Sequence, residues 1–346
     1  MNLMDVLLFQ NQTELVKLLR DTQSSYNKHS KREMIEVLYP LLLNKENVSE
    51  RFQQLTSAAK RIVLTICYDD KLFLAREELY GIVPKVDNLA FLQLVKELTT
   101  SGLLFVYLNK NYLIPSQIKK ELIKCFQQKI NENSLILPAN NQINNQLYMV
   151  NDLFSFIDII EEQALPLTKN GLLYKKDFQQ IIKQFHRNEP LPSDQWRFGY
   201  GRRFSNYPDR FSLIYDYCFY RDWITEEDGN LAIGPKANEL HDSRLTECMN
   251  GLVRYWLKLY RRPVPAIRLL YKITLDSLKE GEGLEQEFII AELTPFVDEY
   301  YFDSKEDVIR KRFLNMLCSL DIIKMIEDDS FHGITVGPAK AFLTDL

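Results

Sequence analysis

Residues 88–101, then Gly102-Leu103-Leu104-Phe105-Val106-Tyr107, Asn109-Lys110-Asn111 and Tyr112-Leu113-Ile114-Pro115, decide how this chain is read. Leu89, Leu92, Val95 and Leu98 recur at helical spacing, which predicts a helix with these residues inward and Asn88, Gln93 and Lys96 outward. Gly102 suits the residue just past a helix end, where a left-handed backbone is common. Apolar β-formers on both sides of a short polar turn then predict a hairpin. Upstream, Ser57-Ala58-Ala59-Lys60-Arg61-Ile62-Val63-Leu64 opens a helix, and residues 74–80 supply a short second one that Gly81 ends.

The closing phrase recurs. Asp222-Trp223-Ile224-Thr225 runs through Glu226-Glu227-Asp228-Gly229 into Asn230-Leu231-Ala232-Ile233-Gly234-Pro235. Asp321-Ile322-Ile323-Lys324-Met325-Ile326 runs through an acidic turn into Gly333-Ile334-Thr335-Val336-Gly337-Pro338. The prolines at 115, 235 and 338 are separated by 120 and 103 residues, a long period unlike that of a solenoid. A polar helix is expected after each. Three helices followed by a hairpin is the winged-helix order, a helix-turn-helix variant. The expected fold is therefore mainly α, with about three tandem winged-helix units behind an N-terminal helical segment. The expected boundaries are 1–50 for that segment, 51–135 for the first unit and 136–164 for an Asn/Gln-rich linker and connecting helix. The second and third units follow at 165–250 and 251–346. In the N-terminal segment, Ser30 is the expected cap of a helix burying Met34, Ile35, Leu38 and Leu41, with Glu33 as its capping-box partner.

Composition narrows the function. In 346 residues, 46% are hydrophobic and 26% charged, the balance of a folded globular protein. The net charge of -4 excludes a protein that coats nucleic acid by bulk positive charge, so any such binding must come from local patches. Five dispersed cysteines without a CxxC pair fit a reducing compartment better than a disulfide frame or a zinc site. No apolar run reaches the roughly 18–20 residues that span a bilayer, and the start of the chain lacks a basic leader. A cytoplasmic location is expected. No glycine precedes a lysine, so the Walker phosphate loop is absent, and GxGxxG, HExxH and GxSxG are absent too. The four histidines are isolated. Acidic clusters such as Glu226-Glu227-Asp228 read as solvated turns rather than a nuclease site. The expectation is a protein without enzymatic activity, cofactor or metal.

The most unusual stretch is residues 195–210, with four arginines, five aromatics, two glycines and a proline. Arginine can grip phosphate bidentately, and aromatic rings can stack on unpaired bases. Arg197, Tyr200, Arg202, Arg203 and Arg210 are therefore the leading candidate nucleic-acid contacts. Lys119 and Lys120 on a helix after the first hairpin, and Arg310 and Arg312 on the last helix, complete the set. The opposing reading is a loop whose aromatics plug an interface and whose arginines pair with Asp209, Asp216 or Asp222. The acidic hairpin tips also argue against phosphate contact there.

Leu55–Leu64, residues 94–104, Tyr112-Leu113-Ile114-Pro115 and Leu167-Thr168-Lys169-Asn170-Gly171-Leu172-Leu173-Tyr174-Lys175-Lys176-Asp177 together resemble bacterial proteins carrying the N-terminal, helicase-associated domain of XPB-type DNA helicases. The resemblance covers roughly residues 50–240. It implies a non-catalytic region that helps engage damaged or forked DNA beside a separate motor, which this chain lacks. Residues 14–38 also resemble a SAP-type DNA-binding segment, without the usual glycine between its helices. The expected function is non-enzymatic DNA binding, to forked or single-stranded DNA, or helicase accessory work in repair, replication or transcription. The alternative is a protein-interaction scaffold that docks a helicase or polymerase.

Overall fold

In this computed structural model, every residue is described except 21–24, 84–85, 139–145, 188, 190, 193–198, 200, 243, 328–330 and 345–346. Short polar side chains set the helix starts in the first unit, residues 1–133 with 268–277. Asn2 opens α1 (Leu3–Phe9), Asn11 opens α2 (Gln12–Leu18), Ser30 opens α3 (Lys31–Leu43) and Asn44 opens α4 (Lys45–Gln54), each accepting a first-turn N–H. The capping box at Ser30 is only half formed. The Glu33 carboxylate turns back to the Asn27 N–H at 3.2 Å instead. Within α3 the structure buries Leu42 and leaves Leu41 half-exposed, correcting the expected core position by one residue.

Thr56 caps α5 (Ser57–Tyr68), and Asp87 caps α7 (Asn88–Thr100) after the short α6 (Arg76–Gly81). The core face of α7 is Phe91, Val95 and Leu98, whereas Leu89 is 69% exposed and Leu92 48%. Both leucines were expected inward. Phe91 displaces them because an i, i+4, i+7 stripe led by the larger aromatic ring removes more apolar surface from water. The hairpin follows as β1 (Phe105–Tyr107) and β2 (Asn111–Leu113), paired Phe105↔Leu113 around one 3-10 turn, with Lys110 at φ 62°. Leu74, between α5 and α6, exchanges two 2.9 Å hydrogen bonds with Tyr112 of the hairpin's second strand. α8 (Ser116–Asn131) then runs back to the chain start, where the Met1 carbonyl accepts from Ser116 N–H at 3.0 Å and Gln117 accepts from Leu3 N–H at 2.9 Å. The expected N-terminal helical segment 1–50 lies within the first unit, with Leu3, Val6, Leu7 and Leu15 fully buried.

The second unit holds residues 134–267 and 278–346. It opens on β3 (Ser134–Ile136), so the expected linker is a strand at its start and α9 (Tyr148–Glu162) at its end. Then come β4 (Leu165–Pro166), α10 (Lys175–Gln184), α11 (Asp209–Tyr220) and the hairpin β5 (Ile224–Glu227) and β6 (Asn230–Ile233), forming a sheet in the order β4-β6-β5. After the five-residue α12 (Asn238–Asp242) and α13 (Leu245–Tyr260), α14 (Ile267–Ser277) joins the first unit from Arg268 onward. There Lys272 donates to the Tyr68 carbonyl at 2.9 Å. The chain returns with β7 (Glu282–Glu285), α15 (Gln286–Leu293), α16 (305–319, π-wound through Val308–Leu314), β8 (Ile323–Glu327) and β9 (His332–Val336). The sheet order here is β3-β7-β9-β8. The molecule is mainly helical. Along the chain, the order helix, short strand, helix, helix, hairpin occurs three times, and each time the short strand or bridge pairs with the hairpin's second strand. After Pro338 the expected helix is only a 3-10 turn, Pro338–Phe342.

The two later hairpins start identically. Asp222 and Asp321 both sit at φ 57°, turning the chain out of a helix into a strand. Trp223 N–H bonds the Cys218 carbonyl at 2.9 Å, and Ile322 N–H bonds that of Leu317 at 2.9 Å. On the return, Lys236 and Ala339 donate to the Asp222 and Asp321 carbonyls at 3.0 and 2.9 Å. The glycines beside them cross that carbonyl. A Cβ on Gly234 would lie 2.3 Å from the Asp222 oxygen, and one on Gly337 2.2 Å from that of Asp321.

This crossing fixes a stability order. Gly234→Ala or Gly337→Ala should each cost about 3 kcal/mol, because backbone must move. Gly229→Ala, at φ 73° in open space, should cost about 1 kcal/mol of backbone strain. Urea unfolding of the three variants measures this; equal losses at all three positions would refute the crossing as the constraint.

Candidate nucleic-acid interface

Glu226, on β5, organises the arginine-rich loop. Its carboxylate accepts Arg202 at 3.1 Å, Arg203 at 2.9 and 3.0 Å and the Tyr215 hydroxyl at 2.7 Å. The Arg202 guanidinium also lies 3.7 Å from the centroid of the Phe219 ring, a cation–π contact. Its backbone N–H reaches both Asp216 oxygens, at 3.0 and 2.8 Å. Gly201, at φ 127°, is required beneath this contact, since a Cβ there would sit 1.6 Å from Asp216 Oδ2. Burial pushes the Asp216 carboxyl up to about 7, against the pull of the Arg202 N–H and the nearby Arg202 and Arg203 charges.

Arg210 is the clearest correction. It is 1% exposed and ion-paired to the fully buried Asp152, which also accepts the His186 N–H at 2.9 Å and meets its Nδ1 at 2.7 Å. A buried guanidinium must be neutralised in place, so Arg210 holds α9 against α11 and has no path to a phosphate. Arg197 and Tyr200 lie outside the described residues. Arg310 grips Glu287 bidentately at 2.5 and 2.8 Å, and the largely buried Arg312 bonds Asp303 at 3.1 Å. Lys119 donates to the Asp69 carbonyl at 2.9 Å, while Lys120 stands exposed beside it. Each of Arg202, Arg203, Arg210, Arg310 and Arg312 thus faces a carboxylate.

The helices that precede the hairpins differ in what they offer. α11 buries every residue from Arg210 to Cys218 and has no face for a groove. α16 leaves Glu306, Lys311 and Asn315 exposed. α7 exposes Asn88, Leu89, Leu92, Gln93, Lys96 and Thr100.

Sequence reasoning missed a cleft of about 630 Å³ beside α7, lined by Glu14, Lys17, Arg20, Lys96, Thr99 and Val106 among others. Lys17 pairs with Glu14 at 2.8 Å, and among the described residues neither Arg20 nor Lys96 has an ion pair. Next to it, Phe9 packs edge-on to Tyr107 with centroids 5.0 Å apart, and Phe73 stacks on the same ring at 6.0 Å. Phe9 is 59% exposed and Phe73 39%. Only Lys96 carried a signal in the sequence, as an outward position on its helix. Among the described residues no His, Cys, Asp and Glu cluster could hold a metal ion, and no helix is long and apolar enough to cross a membrane.

The raised Asp216 carboxyl predicts an acid-favoured clamp. The folded state keeps a proton that the unfolded chain releases near pH 4, so this contribution is complete below about pH 4 and is lost as pH rises through about 7. Arg202, Arg203, Glu226 and Tyr255 are the charged and titratable groups around it. The difference in thermal midpoint between Asp216→Asn and the parent should therefore shift in favour of the variant between about pH 5 and about pH 8. A constant difference would contradict it. No family model and no curated protein matches this chain.

Proposed function

We propose that this protein is a non-enzymatic DNA-binding or helicase-accessory protein built of tandem winged-helix units, and that its first unit carries the DNA contact. The observation behind the reading is the repeated order of helix, short strand, helix, helix and hairpin, with α7 presenting Asn88, Gln93 and Lys96 to solvent. A helix in this position can enter a major groove about 12 Å wide, with the hairpin reaching the flanking phosphates. The resemblance of residues 50–240 to the helicase-associated region points the same way, toward work beside a separate motor in repair, replication or transcription. The second unit, with Arg202, Arg203 and Arg210 paired and Glu226 and Glu227 at the hairpin, suits a structural or docking role.

A protein-docking scaffold is the second reading. Leu89 and Leu92 favour it, because two exposed leucines on one helix face resemble a protein contact more than a phosphate contact. Loss of a purified helicase or polymerase subunit on Leu89→Asp/Leu92→Asp, with DNA binding intact, would assign that face to protein.

The two readings separate in one titration. Fluorescence anisotropy of the full chain against forked, duplex and single-stranded DNA should show binding that weakens with salt, as phosphate contacts release counterions. Arg202→Ala/Arg203→Ala should lower the thermal midpoint by releasing the loop from Glu226 and leave DNA affinity within about twofold, since Glu226 already pairs with both guanidiniums. No binding to any of the three DNAs at about 50 mM salt would end the DNA reading.

A further inference from the structure

We infer that the first unit holds a track for single-stranded nucleic acid, with phosphates in the Arg20–Lys96 cleft and bases on the ring cluster of Phe9, Tyr107 and Phe73. The inference rests on the DNA-binding reading and names its site and its ligand class. Two independent features meet here. One is charge. Among the described residues, Arg20 and Lys96 in the cleft have no carboxylate partner, and neither has Lys110 on the hairpin turn. Lys31 gives its ammonium to the Leu8 carbonyl at 2.6 Å, a neutral acceptor that leaves its charge uncancelled. In a chain of net charge -4, the cleft brings Lys17, Arg20 and Lys96 together against Glu14.

The other feature is apolar. Phe9 and Phe73 flank Tyr107 as exposed rings, and Leu8, Leu72 and Leu108 beside them in sequence are exposed as well. An aromatic cluster left in water loses the area it could bury, and ring faces of this kind accept unpaired bases of any sequence. The chain joins the two features directly. Gln10 and Val106 line the cleft, their sequence neighbours Phe9 and Tyr107 carry the rings, and Gln10 Nε2 bonds the Val106 carbonyl at 3.0 Å. A duplex offers its phosphates but hides its base faces, so only a single strand uses both halves. A partner protein would use the rings and leave the cations unanswered.

The test titrates the full chain against a fluorescein-labelled oligothymidylate of roughly 20 nucleotides and a duplex of similar length, across a salt series. The single strand should bind more tightly. Arg20→Ala/Lys96→Ala should lower the slope of log affinity against log salt by about 0.7 for each cation removed. Phe9→Ala should weaken binding about tenfold with that slope unchanged. All three side chains are exposed, and an unchanged thermal midpoint would show that the variants fold. If DNA binds but neither variant alters affinity or slope, or the duplex binds as tightly as the single strand, this track is wrong and the broader DNA reading stands. If no DNA binds at about 50 mM salt, both fall.

Discussion

The carbonyl of one aspartate in a left-handed backbone sets the geometry of the second unit twice. At Asp222 and Asp321 the chain leaves a helix, makes a hairpin and returns across the carbonyl it has just passed. Aspartate tolerates positive φ better than most residues, and its carbonyl accepts a hydrogen bond from the returning strand's end. Lys236 and Ala339 N–H supply these bonds, which brings Gly234 and Gly337 so close that no side chain fits. The hairpins are therefore held to their helices by backbone hydrogen bonds. Variation in the tips, such as the acidic Glu226-Glu227-Asp228, can then proceed without moving the base.

That rigidity explains where charge ends up. Glu226 lies on a fixed strand, so Arg202, Arg203 and Tyr215 converge on it, and Asp216 holds the loop backbone from the adjacent helix. Arg210 is deeper, and its pairing with Asp152 cancels a charge that water cannot reach. An arginine-rich segment of this kind is a clamp. On the first unit, exposed Arg20 and Lys96 line one cleft, and short helices and a three-residue-strand hairpin leave rings and leucines uncovered.

Much of the fold was legible in the sequence. Ser30 and Gly102, the turn at Asn109-Lys110-Asn111 and the Gly-Pro endings carry local signals that act within a few residues. What failed was choice among equivalent stripes, as when Phe91 took the core from Leu89 and Leu92, because helical spacing alone does not say which apolar stripe the neighbours cover. The site was harder to read. Arg202, Arg203 and Arg210 were recognisable as a cluster, but their partners Glu226 and Asp152 lie 23 to 58 positions away, beyond any local pattern. The cleft draws on residues 10–20, 96–100 and 104–106, and Arg20 stands out only once those segments are folded together.

The central claim is that nucleic acid meets the first unit and leaves the arginine loop alone. Hydrogen–deuterium exchange of the full chain, with and without saturating oligothymidylate, reads this directly. The account predicts new protection in residues 6–20 and 96–113 and none in 201–226. Protection confined to 201–226, with the first unit unchanged, would contradict it.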